Sequence, residues 1–204
     1  MQALNQVIIN KTGVSQIVKL GNLNIKSGRI CACDPLVESY FVPFETEVPN
    51  GSFPVELYLE EDTDLVGMAV VWFHKSNEEL NWKMATVPGE SISESEVEEG
   101  FILGFPVESG LACFIDPSFS KSFLEKEDTK SEVEEDTNES PFIGSLLNEN
   151  GGDWAMAYMN DSENIAVFSS GYGEGNYACY FGYDSQNNLV AVAMDLDVFF
   201  VDEE

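Results

Sequence analysis

The sequence predicts a mainly β fold of the α+β class: a β-sandwich or a curled, barrel-like antiparallel sheet with a short helical insertion at about residues 117–147. Three observations predict it. Apolar side chains recur at period two, or in short continuous runs bounded by turn residues, along most of the chain. Helical signals gather in one window, after Asp116-Pro117. The 204 residues carry 44% hydrophobic side chains, enough to build a core without disulfide or metal and too many for general disorder. Residues 1–204 are read as a single domain.

In chain order, residues 20–25 and 29–33 read as short strands around a Lys26-Ser27-Gly28 turn. Asp34-Pro35 ends the second, because proline restrains the residue before it and donates no ladder hydrogen bond. Pro49-Asn50-Gly51 is a turn. After it Phe53, Val55, Leu57 and Leu59 fall at alternate positions, with Pro54, Glu56 and Tyr58 between them, one face of a strand. Residues 65–73 are continuously apolar, as a strand covered on both faces would be. Residues 80–85 alternate again, with a loop at 75–79, and the Ser/Glu-rich stretch 90–99 reads as a loop. Residues 110–115 form a strand. Asp116 then reads as a helix N-cap, with Pro117 at the first helical position and a helix from 118 towards 127. Residues 125–140 hold one apolar side chain, Val133, and read as a solvated helix extension or a mobile loop. A second short helix fits 141–147. Strands return at 154–159, 165–169, 177–183 and 189–194, the last two joined by a turn at 184–188, and 199–201 adds an edge strand. The sum is roughly ten strands with helices on one side.

Charge sets the chain apart. It carries 37 acidic against nine basic side chains, a formal net of −28, and no Lys or Arg after Lys130. Such a field raises solubility, repels phosphate backbones and anionic membranes, and attracts basic partners. Cys31, Cys33, Cys113 and Cys179 sit among apolar or small neighbours and read as buried, reduced thiols; one C-x-C without a second cysteine pair or nearby histidine is a poor zinc signal. Reduced thiols, an N-terminus without signal-peptide character and the lack of any apolar run of about 20 residues predict a cytoplasmic protein outside the membrane.

Four stretches in order carry a family resemblance. They are Ser27-Gly28-Arg29 leading to Asp34-Pro35; residues 49–55, from Pro49-Asn50-Gly51 to Val55; residues 108–116, Glu108-Ser109-Gly110 to Asp116; and Gly171-Tyr172-Gly173-Glu174-Gly175 running on to Asp195. Together they resemble the bacterial domain-of-unknown-function family numbered 4241, from about Leu20 onward. Glu108 and Glu174 stand where that pattern has Asp, and Leu196 where it has Phe. The resemblance implies a shared single-domain fold and brings no activity with it.

Asp34, Glu108, Asp116, Glu174 and Asp195 all fall at strand ends or tight turns. They are the catalytic candidates if the chain is an enzyme, because gathered carboxylates can hold Mg²⁺ or Ca²⁺ or work as an acid/base pair. Each also has a structural reading: Asp34 and Asp116 precede proline and can cap turns, and Glu174 lies inside a glycine turn. That turn lacks the Lys-Ser/Thr of a phosphate loop and leads into a strand, so glycine there serves positive φ. Tyr172, Glu174 and Tyr177 are the candidate ligand-binding residues. His74, the one histidine, follows an apolar run and marks a strand's exit into solvent. No metal site and no cofactor is assigned.

The leading functional reading is a non-enzymatic, acidic binding protein that pairs with a basic protein partner, an immunity protein or antitoxin being one form. Nucleic acid and membrane are not expected partners. The alternative is a metal-dependent hydrolase using the loop-end carboxylates. Convergence of those five acids favours the hydrolase, and their dispersal favours the binder.

Overall fold

The computed structural model describes residues 2–37, 40–131 and 141–199. Strand outweighs helix, 42% against 17%, and is arranged as two antiparallel sheets rather than a closed barrel. The larger sheet runs in the order β1 (Val14–Ile25), β3 (Gly51–Glu60), β4 (Val66–Trp72), β11 (Leu189–Asp195), β10 (Gly175–Tyr183). The far edge of β10 is shared by β5 (Asn81–Met84) and β6 (Gly104–Val107). The smaller sheet runs β2 (Cys31–Cys33), β7 (Leu111–Ile115), β9 (Glu163–Ser169), β8 (Trp154–Asn160).

The two sheets face each other across the main core. Val55, Leu57, Val71 and Val192 from the larger sheet meet Phe114 and Phe168 from the smaller. Each such side chain contributes roughly 1.5–3 kcal/mol by leaving water. The outer faces are covered too. Behind the smaller sheet, α3 (Ser120–Ser131) and α4 (Pro141–Asn150) bury Phe123, Phe142 and Leu147 over Cys33, Cys113 and Val167. Behind the larger sheet, α1 (Gln2–Ile8) lays Leu4, Val7 and Ile8 over Met68, Val70 and Trp72. This double cover is why β4, β9 and β11 are apolar on both faces.

Asp116 caps as expected: its carboxylate accepts from the Ser118 N–H, and Pro117 opens a 3-10 turn at Pro117–Phe119 that leads into α3. The four cysteines are buried and free. Cys33 and Cys113 are cross-strand partners with sulfurs 3.5 Å apart, and burial pushes the Cys33 and Cys179 thiols well up and raises that of Cys113. Protonated and enclosed, they are packing groups.

Several expectations need correction. Helices lie on both sides, because α1 was missed although Leu4, Val7 and Ile8 have helical spacing. Asn5 pins this helix: its side chain exchanges hydrogen bonds with the Leu80 backbone (both 3.0 Å) and accepts from Trp82 Nε1 (3.0 Å). Strand β1 begins at Val14 rather than near residue 20. The stretch read as a loop at 90–99 contains α2 (Glu94–Glu98), nucleated by a reciprocal Ser93–Glu96 capping box. Strand β6 was not expected; its Pro106 is tolerated on an edge, where, among the described residues, β6 pairs with β10 alone. The acidic stretch continues through residues 132–140, and the expected edge strand through 200–201; these residues lie outside those described. No helix among the described residues is long and apolar enough to cross a membrane.

Candidate functional site

Asp34 follows β2 and is fully buried. Its Oδ2 accepts from the backbone N–H groups of Glu108 (2.9 Å) and Ser109 (2.8 Å), and its Oδ1 from the Ser109 hydroxyl (2.8 Å) and the Leu36 N–H (2.9 Å). Four donors saturate the carboxylate, which therefore shapes the turn between β6 and β7. That turn presents Glu108 to solvent.

The glycine turn between β9 and β10 packs beside it. Ser170 N–H donates to the Gly110 carbonyl (3.0 Å) and the Ser170 hydroxyl to the Gly173 carbonyl (2.8 Å). Gly171 has φ +56°, and a Cβ on it would lie 2.6 Å from Val198 Cγ2, so both backbone and space demand glycine. The Tyr177 hydroxyl lies 2.9 and 2.8 Å from the carbonyls of Ser170 and Gly173. Tyr177 is thus buried beneath the turn and braces it, where an exposed side chain was expected. Tyr172 is as expected on the surface, 63% exposed.

Between these turns lies an open groove of about 440 Å³ lined by Glu108, Ser109, Gly110, Tyr172, Gly173 and Glu174. Its border is Tyr40, whose hydroxyl donates to Glu108 Oε1 (2.8 Å). That bond to an anionic acceptor holds the Tyr40 phenol above its ordinary pKa. On its other side Tyr40 lines an apolar pocket of about 140 Å³, walled by Val42, Phe44, Val87, Leu103 and Phe105 and rimmed by Glu90. The described residues of two connections, 34–37 with 40–50 and 85–103, frame this pocket and are tied by the Glu45 N–H donating to the Thr86 carbonyl (2.8 Å). Among the described residues the exposed large apolar side chains are Leu36, Val42, Phe101, Ile102, Tyr158 and Tyr172. All but Tyr158 belong to these two connections or to the groove.

Asp116 sits at the other end of β7. Its Oδ2 accepts from the N–H groups of Lys26 (2.6 Å) and Ser27 (2.7 Å), its Oδ1 from the Ser118 N–H (2.8 Å) and hydroxyl (2.7 Å). Burial alone would raise its pKa, but these donors outweigh burial and hold it below the usual carboxylate value. Asp195, at the end of β11, is raised, chiefly by burial, while the Asp197 N–H accounts for one of its bonds (3.0 Å). So Glu108 and Glu174 share the groove, Asp34 supports it from beneath with its oxygens occupied, and Asp116 and Asp195 lie elsewhere. No group of three or more His, Cys, Asp or Glu side chains among the described residues is placed to hold a metal ion. His74 is exposed just past β4.

Tyr40 and the apolar pocket were not legible in the sequence. The pocket's walls come from five separate segments, and no spacing rule links them. Searches of curated proteins and of solved structures return no match. A family model described as a protein of unknown function, DUF4241, matches residues 23–194 of the 204, and the chain belongs to that family.

Proposed function

We propose that the chain is a non-enzymatic binding protein that docks a basic protein partner on the face where Tyr40 and Glu108 join the apolar pocket to the groove. The observation that carries this reading is the composition of that face. Glu90, Glu108 and Glu174 supply its charge, no Lys or Arg lines either hollow, and exposed apolar side chains surround them. An apolar anchor ringed by one sign of charge suits a partner that inserts an aromatic or aliphatic side chain and sets Lys or Arg around it. The remaining field of the −28 chain speeds the encounter. An immunity protein or antitoxin that covers a basic active site is one concrete form.

The test is an NMR titration of the full chain with Lys/Arg-rich peptides carrying one Trp or Leu, against acidic peptides of equal apolar content. Basic peptides are expected to shift Val42, Leu103, Ser109 and Tyr172 and to lose affinity as salt rises. The double variant Glu108→Lys/Glu174→Lys is expected to bind at least about tenfold more weakly. Basic peptides that leave this face unshifted, or bind the reversed variant as well as the wild type, refute the reading.

A further inference from the structure

Only nine side chains in this chain are Lys or Arg, and three of them line one cavity. Lys11, Lys19 and Lys75 surround a hollow of about 200 Å³ on the outer face of the larger sheet, walled by Ile8, Ile17 and Trp72. Glu56 lies in its wall, directly across the ladder from Lys19.

The lysines are held in place by different means. Lys75 Nζ lies 2.6 Å from Glu56 Oε2 and 4.6 Å above the Trp72 ring. The same oxygen accepts from Trp72 Nε1 (2.9 Å) and the Tyr58 hydroxyl (3.2 Å). Burial works against the Glu56 anion, but Lys75 and these donors prevail and lower its pKa. Lys11 has left-handed backbone, φ +62°. That geometry returns its ammonium to the Ile8 carbonyl and to the Tyr58 hydroxyl (3.2 Å), 4.5 Å above the Tyr58 ring.

One lysine neutralises Glu56, and two positive charges remain. Of these, the charge of Lys11 is disfavoured: burial first, then the charge of Lys75, depresses its pKa. An ammonium has three donors. Lys75 directs one to Glu56, Lys11 two to its own surroundings, and Lys19 makes no hydrogen bond to a described residue. Donors and charge are therefore unspent at the mouth of an apolar-walled hollow, in a molecule whose field elsewhere repels anions. The volume is below the range of about 300–1,000 Å³ for drug-sized ligands, so the fit is to something smaller.

We propose that this cavity binds the carboxylate or phosphate of a small, partly apolar organic molecule, with Lys11, Lys19 and Lys75 around the anion and Ile8, Ile17 and Trp72 against its body. The site is separate from the acidic face.

The probes are hexanoate, benzoate and phenyl phosphate, with the neutral hexanamide and benzamide as controls. All are titrated into the full chain at fixed ionic strength and followed by calorimetry and tryptophan fluorescence. At least one organic anion is expected to bind saturably at millimolar concentration or below, and the amides are not. Benzoate against phenyl phosphate tells carboxylate from phosphate. Lys19→Gln and Lys11→Gln leave the Glu56–Lys75 pair intact, and each is expected to weaken binding about tenfold. Melting of Lys19→Gln without ligand is expected to match wild type, so that weakened binding reads the site and not the fold. Absence of saturable binding by all three anions, amides that bind as tightly, or affinity unchanged in both variants overturns the proposal.

Discussion

At one end of β7, Asp116 is buried and its carboxylate accepts four hydrogen bonds, three of them from backbone N–H groups. At the other end Glu108 is exposed and accepts one, from Tyr40. Both are acids at a strand end beside a tight turn, and in sequence they look alike. The difference lies in what surrounds them. Asp116 stands where two turns leave backbone donors facing inward, and a buried donor without an acceptor costs about 1–3 kcal/mol. Asp34 does the same at the Glu108 end, so each end of the β2–β7 pair has one aspartate spent on the scaffold. Glu108 and Glu174 have no such duty and are left on the surface.

The largest effect that tests this division is truncation. Asp116→Ala strands the N–H groups of Lys26, Ser27 and Ser118 and removes the helix cap, and is expected to cost about 3 kcal/mol or more in urea unfolding. Asp34→Ala, which strands three N–H groups of its own, is expected to be comparable. A loss below about 1 kcal/mol for either would place it with the surface acids.

The pH dependence sharpens the same contrast. The Asp116 pKa is lowered in the folded state, so its ionised form is favoured there. Its contribution is complete above the unfolded-state value near about 4 and is lost as pH falls through the lower folded-state value. The stability gap between wild type and Asp116→Asn is expected to be constant from about pH 5 to 7 and to close below about pH 4. A gap that widens on acidification would reverse the sign of the argument.

On the surface side, Glu108→Ala, Glu174→Ala and Tyr172→Ala are each expected to alter stability by no more than about 0.5 kcal/mol while weakening basic-peptide binding. Equilibrium unfolding and the peptide titration, run on the same variants, check both halves of the statement. The smallest effect is expected from divalent ions. Because the oxygens of Asp34 and Asp116 are already occupied, Mg²⁺ or Ca²⁺ at matched ionic strength is expected to move the melting temperature no further than Na⁺ does. A metal-specific rise of several degrees that vanishes in Asp116→Asn would restore the hydrolase alternative.

Legibility followed the range of the interactions. The β3 alternation, the doubly apolar β4, the Asp116-Pro117 cap and the positive-φ glycines of the 171–175 turn are local patterns, and each was read directly. The α1 helix and the α2 capping box are equally local, signalled by the Leu4/Val7/Ile8 spacing and by Ser93 with Glu96. Tyr177 could not have been placed. Period two puts it on a face of β10, but only the turn folding back over that face buries it and makes its hydroxyl a brace.

By itself the sequence determined a mainly β chain, the position of its chief helices, its family, and an acidic field with few cations. All of these rest on composition, on neighbours within a few residues or, for the family, on the order of short motifs along the chain, which the chain carries wherever it folds. Tertiary structure alone decided that two sheets pack as a sandwich with both outer faces covered, and which acids are spent on backbone donors. It also brought Tyr40 to Glu108 across 68 residues, and Lys11, Lys19 and Lys75 around Glu56. The physical reason is that hydrogen bonds and charge pairs depend on distance in space. Sequence separation does not encode that distance until the strands have paired.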